Sequence, residues 1–179
     1  MNHFGSAVEY GLHCLLYLAR QDQGPAIGTR DLAEFQGLSA DYVAKLFTRL
    51  EKAGLVRATE GVRGGFHLAR EAERITVLDV ADALEGRKPL FECREIRGNC
   101  ILFDDRKPRW ASQGVCGIHA VMLRAEAEMR RSLGDHTLAQ LAGHVETVLP
   151  QGHRKNTGKW FQGRLEGRGR RGARGTTKT

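Results

Sequence analysis

The apolar positions of this chain begin with a helical rhythm. Val8, Leu12, Leu15, Leu16 and Ala19 fall on one stripe and predict a helix over about residues 4–20. QDQGPAIG breaks that pattern at Gly24 and Pro25. Thr29 is placed to cap a short second helix through Leu32, Ala33 and Phe35, which ends at Gly37. Ser39 caps a third, ADYVAKLFTRLEKAG, whose stripe is Val43, Leu46, Phe47 and Leu50, with Gly54 just past its end. LVRATEG and VRGGFHLAR then read as two strands of a hairpin, with Gly64 and Gly65 supplying the turn's positive φ. Thr76-x-x-Asp79 has the form of a capping box opening VLDVADALE, and Gly86 closes it. Periodicity is lost from Lys88 to Gln113. It returns in IHAVMLRAEAEMRRSL and in a last helix, capped by Thr137, through Leu141, Val145 and Val148.

Short helix, tight turn, longer helix and glycine-tipped hairpin is the order of a winged helix-turn-helix. The fold class expected is therefore mainly α with a small β-wing, a DNA-binding domain with a long helix appended. That helix, from Gly117, presents Ile118, Val121, Met122, Ala125, Met129 and Leu133 along one side, more than a small domain buries, and predicts a homodimer. The expected organisation is a winged domain over 1–88, a cysteine-containing loop over 89–116, dimerisation and C-terminal helices over 117–149, and a disordered Gly/Arg-rich tail over 150–179.

Charge alters this picture less than its total suggests. The net charge is +7, but residues 151–179 hold nine of the 28 basic and one of the 21 acidic residues, which leaves residues 1–150 slightly acidic. DNA binding must then rest on local pattern. In a recognition helix the first turns meet base edges. The candidates are Ser39, Ala40, Asp41, Tyr42 and Lys45, with Arg49 further along the helix and Arg63 at the wing tip. A dimer presenting two such helices predicts a palindromic operator. No apolar run approaches the roughly 18 residues of a membrane span, and no secretory leader is visible, so a cytoplasmic protein is expected. No nucleophile–base pair, phosphate loop or cofactor fingerprint points to an enzyme or a small-molecule substrate.

Cys93, Cys100 and Cys116 lie in or beside the aperiodic stretch with spacing C-x6-C-x15-C, which disfavours a zinc knuckle built on CxxC pairs. Cys14 reads as a small buried hydrophobe. In VEYGLHC, Glu9 and His13 stand one helical turn apart. Such a pair is ordinarily a surface contact worth a few tenths of a kcal/mol.

The block LAEFQGLSADYVAKLFTRLEKAGLV, the wing RGGFHLAR, the helix ITVLDVADALEG and the loop cysteines together resemble the iron–sulfur winged-helix transcriptional regulators that include IscR, NsrR and RsrR, over about residues 4–148. VEYGLHC and FECREIRG are most similar to the RsrR branch, in which two loop thiolates of one subunit and a Glu and a His from the other hold a 2Fe–2S cluster. The resemblance implies Glu9, His13, Cys93 and Cys116 as ligands of a redox-sensing cluster, with Cys100 spare. His119, three residues after Cys116, is the competing nitrogen donor. Two other readings stay open: a 4Fe–4S regulator responsive to nitric oxide or iron that uses Cys93, Cys100 and Cys116, and a cluster-free regulator that senses oxidants through its thiols.

Overall fold

The computed structural model describes residues 4–20, 24–103 and 106–175. In order they form α1 (Ser6–Ala19), α2 (Thr29–Gln36), α3 (Ala40–Lys52), β1 (Val56–Thr59), β2 (Gly65–Leu68), α4 (Val77–Glu85), α5 (Gly117–Gly134), α6 (Leu138–Val148) and α7 (Gln151–Gly175), with short 3-10 turns between α4 and α5. Two compact units result, Met1–Gly86 with Gly134–Thr179, and Arg87–Leu133.

The first unit is the winged helix-turn-helix that the apolar pattern predicts. Leu15 and Leu18 of α1, Leu32 of α2, Val43, Phe47 and Leu50 of α3 and Leu84 of α4 make one core, each at most 4% exposed. Cys14 lies fully buried among them, as its helix position predicts. Burial disfavours its thiolate and pushes the thiol up to about 12. The turn between α2 and α3 works because Gly37 takes a left-handed φ of 67° that a Cβ would penalise. The caps divide. Thr76 with Asp79, and Thr137 with Gln140, form complete capping boxes. Thr29 does not cap α2: it is the first helical residue, and Gly28 precedes it as the cap. Ser39 is at the cap of α3 but makes no side-chain capping bond.

The wing corrects one expectation. β1 and β2 pair antiparallel from Val56↔Leu68 to Thr59↔Gly65, so the loop spans residues 60–64 and the positive φ falls on Gly61, at 102°. Gly64 and Gly65 serve close approach instead. A Cβ on Gly65 would lie 2.6 Å from the carbonyl of Ile27, which exchanges both backbone hydrogen bonds with Phe66 (3.1 and 2.9 Å). The segment before α2 is thereby stitched to the wing.

The larger correction is at the C-terminus. The stretch expected to be disordered is helical from Gln151 to Gly175; residues 176–179 lie outside the described residues. Composition alone argues against this helix, since its interior glycines each cost about 1 kcal/mol relative to alanine. Tertiary packing overrides it. Phe161 is 6% exposed and stands 5.1 Å from Phe35 of α2 and 5.6 Å from Tyr17 of α1, centroid to centroid. Trp160 meets Phe35 edge-on at 5.0 Å. Four apolar or half-apolar positions, Thr157, Trp160, Phe161 and Leu165, share the covered face.

In the second unit, α5 has no buried residue, and Ile118, Val121 and Leu123 are each about half exposed or more. Among the described residues no helix is long and apolar enough to cross a membrane.

Candidate nucleic-acid interface and thiol loop

The candidate DNA-reading residues gather on the first unit at the start of α3 and in the wing. Ser39, Ala40, Asp41 and Lys45 are exposed in the first turns of α3, and Arg63 is exposed in the wing loop. These side chains have no core role to fulfil. Backbone N–H groups at the α3 N-terminus add partial positive charge there. Tyr42 is half-buried, its ring edge-on to Tyr10 with centroids 6.0 Å apart. Arg49 behaves differently. It sits in the last turn of α3, and its Nη1 donates to the carbonyl of Leu84 at 2.7 Å, tying α3 to α4.

Sequence pattern did not single out Asp31. This α2 residue is 7% exposed and faces two arginines of α7: Arg168 at 3.0 Å and Arg164 at 3.4 Å. Arg164 also pairs with Glu34, and Arg168 donates to the carbonyl of Gly64 at 2.7 Å. A buried carboxylate needs such partners, so an aspartate on the inner face of a short amphipathic helix was the available signal.

The second unit carries the loop cysteines. Cys93 and Cys116 are half-buried, whereas Cys100 is exposed. Arg97 organises the loop around the first two. Its guanidinium grips Glu95 in a bidentate pair (Nε–Oε1 2.5 Å, Nη2–Oε2 2.7 Å) and donates to the carbonyls of Gly114 (2.9 Å) and Gln113 (3.4 Å). Glu95 takes a left-handed φ of 47°, an uncommon conformation for a residue with a Cβ, to make that grip. One side chain thus fastens the Cys93 turn to the approach to α5. Its hydrogen bond to the Glu95 carboxylate, then the charge of Glu95, and last that of Cys116 and Cys93, hold the Arg97 guanidinium above its usual value. The Cys116 thiol is held below its usual value. The backbone N–H groups of His119 and Ile118, at the start of α5, lower its pKa, and Arg97 adds to this. The His119 ring lies 6.1 Å from that of Phe91.

Among the described residues, no three His, Cys, Asp or Glu are gathered to hold a metal. Arg97 clasps the loop between Cys93 and Cys116, and two thiols are of the type that ligates an iron–sulfur cluster, which needs further donors to complete it. Glu9 and His13 are both exposed on α1, with no role in the core.

A recognition helix behind a glycine turn, a wing stitched to the segment before α2, and an appended cysteine loop and long helix define a winged helix-turn-helix DNA-binding regulator. The chain belongs to the Rrf2 family, described as iron-dependent transcriptional regulators, whose model matches residues 4–144. It is 37% identical to protein rrf2 of Nitratidesulfovibrio vulgaris over 132 residues, 74% of this chain and 81% of that one. It is 30% identical to the HTH-type transcriptional regulator IscR of Xenorhabdus nematophila over 150 residues, 84% of each. The solved T. potens IscR superposes with a TM-score of 0.62 at 25% identity, over 86% of this chain and 96% of that one. The family expected from the sequence is the family found, and α7 begins beyond the matched residues.

Proposed function

We propose that this chain is a homodimeric, redox-responsive transcriptional regulator whose affinity for a palindromic operator follows the state of a 2Fe–2S cluster. Cys93 and Cys116 of one subunit and Glu9 and His13 of the other would hold that cluster. The observation that carries this reading is the Arg97 clasp, which joins the Cys93 turn to the residues just before Cys116, while Cys100 stays exposed. A cluster with two thiolate and two harder ligands supplies a one-electron change of charge at a potential above that of an all-cysteine site. The chain's own residues do the rest. Arg97 offsets the negative charge of the thiolates and holds the two chain segments together. Glu9 and His13, fixed one turn apart on α1, couple the loop to a helix that packs directly on α3 and α4. At the DNA, Ser39, Asp41 and Lys45 face base edges in the major groove, Tyr42 and Ser39 donate to phosphates, and Arg63 reaches the backbone or minor groove.

Anaerobic purification with iron and sulfide analysis, and electron paramagnetic resonance before and after dithionite, tests this. The expectation is two iron per chain, lost in Glu9→Ala and His13→Ala and kept in Cys100→Ala and His119→Ala. Loss of iron in Cys100→Ala with retention in Glu9→Ala would favour the three-cysteine cluster instead. Iron-free protein from iron-replete anaerobic cells would leave only a thiol-based regulator.

A further inference from the structure

The wing carries Arg63 on a loop that its own contacts restrain little. The base of the wing is fixed. The Phe66 ring meets Phe47 of α3 at 4.9 Å between centroids, and the Phe66 backbone is paired with Ile27. The tip is held less. Residues 60–63 are exposed, and inside the loop the Gly64 N–H donates to the Gly61 carbonyl at 2.8 Å. A two-stranded hairpin is marginal by itself, so the direction of its tip needs another restraint.

α7 supplies one. It runs antiparallel to α2: Phe161 packs on Phe35 near the end of α2, Arg164 pairs with Glu34, and Arg168 reaches Asp31 in the first turn. The Arg168 guanidinium then spans two elements. Nη2 lies 3.0 Å from Asp31 Oδ2, and Nη1 donates to the carbonyl of Gly64, the residue after Arg63, at 2.7 Å. Its Nε is buried, with no hydrogen-bond partner among the described residues, so the group is turned into the molecule. Gly28, the cap of α2, makes room for it. A Cβ there would stand 2.9 Å from Nη1, too close for the guanidinium to stay where it is. The Gly28 backbone, at φ −75° and ψ 142°, is one that any residue adopts, so the missing side chain serves space rather than conformation.

We infer that Arg168 is a positioning residue for DNA binding. It latches the wing tip to the first turn of α2 and so fixes the direction in which Arg63 approaches the duplex, without touching DNA itself. A charge-assisted hydrogen bond to a backbone carbonyl suits that task, because it restrains the chain directly and leaves the neighbouring side chain free to reach outward. The inference rests on the reading of Arg63 as a DNA contact.

The test uses the full chain with Arg168→Ala, Arg63→Ala, the two together, and Gly28→Ala, which displaces the guanidinium while leaving Arg168 in the sequence. Asp31 keeps Arg164 at 3.4 Å in all four, so its carboxylate is not left alone. Amide exchange followed by NMR reads the wing, and affinity for a duplex selected from a random pool by the intact protein reads DNA binding. Exchange at Gly64, relative to that at Leu46 of α3, should quicken about tenfold in Arg168→Ala and in Gly28→Ala, the equivalent of losing one charge-assisted hydrogen bond. Affinity should fall about threefold to tenfold in each, because an ordering already present in the free protein is lost. In the Arg63→Ala background, Arg168→Ala should change neither the affinity nor its salt dependence. An equal loss in both backgrounds would overturn the inference and make Arg168 merely structural. A slope of log affinity against log salt shallower by about 0.9 in both would overturn it too, since Arg168 would then be a phosphate contact. So would unaltered Gly64 exchange, or unaltered affinity, in Arg168→Ala. If Arg63→Ala binds as tightly as the intact chain, the reading of Arg63 falls and the role of Arg168 in DNA binding with it, while Gly64 exchange still decides whether Arg168 holds the wing.

Discussion

Arg97 carries more of the candidate sensor than its place in an aperiodic stretch suggests. It closes the loop through a carboxylate and two carbonyls, and it stands by the two thiols that the proposed cluster needs. Arg97→Ala leaves Glu95 in a disfavoured backbone conformation with no partner to justify it. Outer-shell substitutions of this kind cost about 10–100-fold in metal affinity. Iron retention after gel filtration against a chelator should fall accordingly in Arg97→Ala, with the winged unit's thermal transition unmoved. The sequence proposed Cys93 and Cys116 as ligands by resemblance but did not single out Arg97 between them. Its role depends on Gln113 and Gly114 folding back onto residue 97, and no local pattern encodes a contact across sixteen residues of irregular chain. Cys14 was legible because a single strong term, burial on an amphipathic stripe, decides its state. Asp31 was not, because its partners come from a helix that composition argued against.

At the scale of elements, the sequence was most readable where local chemistry sets the structure. The Thr76–Asp79 and Thr137–Gln140 capping boxes each close within four residues, so spacing alone reveals their geometry. The wing was legible as a hairpin but not in its turn. A glycine pair serves positive φ or close approach equally well, and only the neighbouring Ile27 backbone distinguishes them. α7 was hidden because its docking face amounts to a few side chains within a stretch of glycine and arginine. Its glycines give a direct test of how it is held. Gly158 and Gly163 have nothing within 4 Å of where a Cβ would stand. Gly158→Ala and Gly163→Ala should therefore each stabilise the helix by about 0.5–1 kcal/mol. Calorimetry should show a higher Tm for the double variant than for either single one. Lowered stability would mean that these positions are packed against something.

For the whole molecule, α5 is the element whose surface a single chain leaves unsatisfied. Ile118 is 66% exposed and Val121 53%, on a helix with no buried residue. A second copy is the partner that the proposed palindromic operator and the proposed interfacial ligand set would both require. Sedimentation equilibrium should give twice the chain mass for the intact protein. Val121→Glu, which places an unpaired charge in that face, should weaken association by about a hundredfold or more and abolish cooperative binding to a two-half-site duplex. A dimer indifferent to Val121→Glu would place the interface elsewhere.

The fully buried Cys14 gives this protein an internal clock. Its thiol is sealed in the core of the winged unit and resists ionisation up to about pH 12, whereas the three loop thiols are at least partly exposed. Once the loop thiols have been capped with a fast alkylating agent, any slow further modification counts openings of the core around α1. The cysteine loop and the DNA-binding core can then be timed separately in one unmodified sequence, by mass alone.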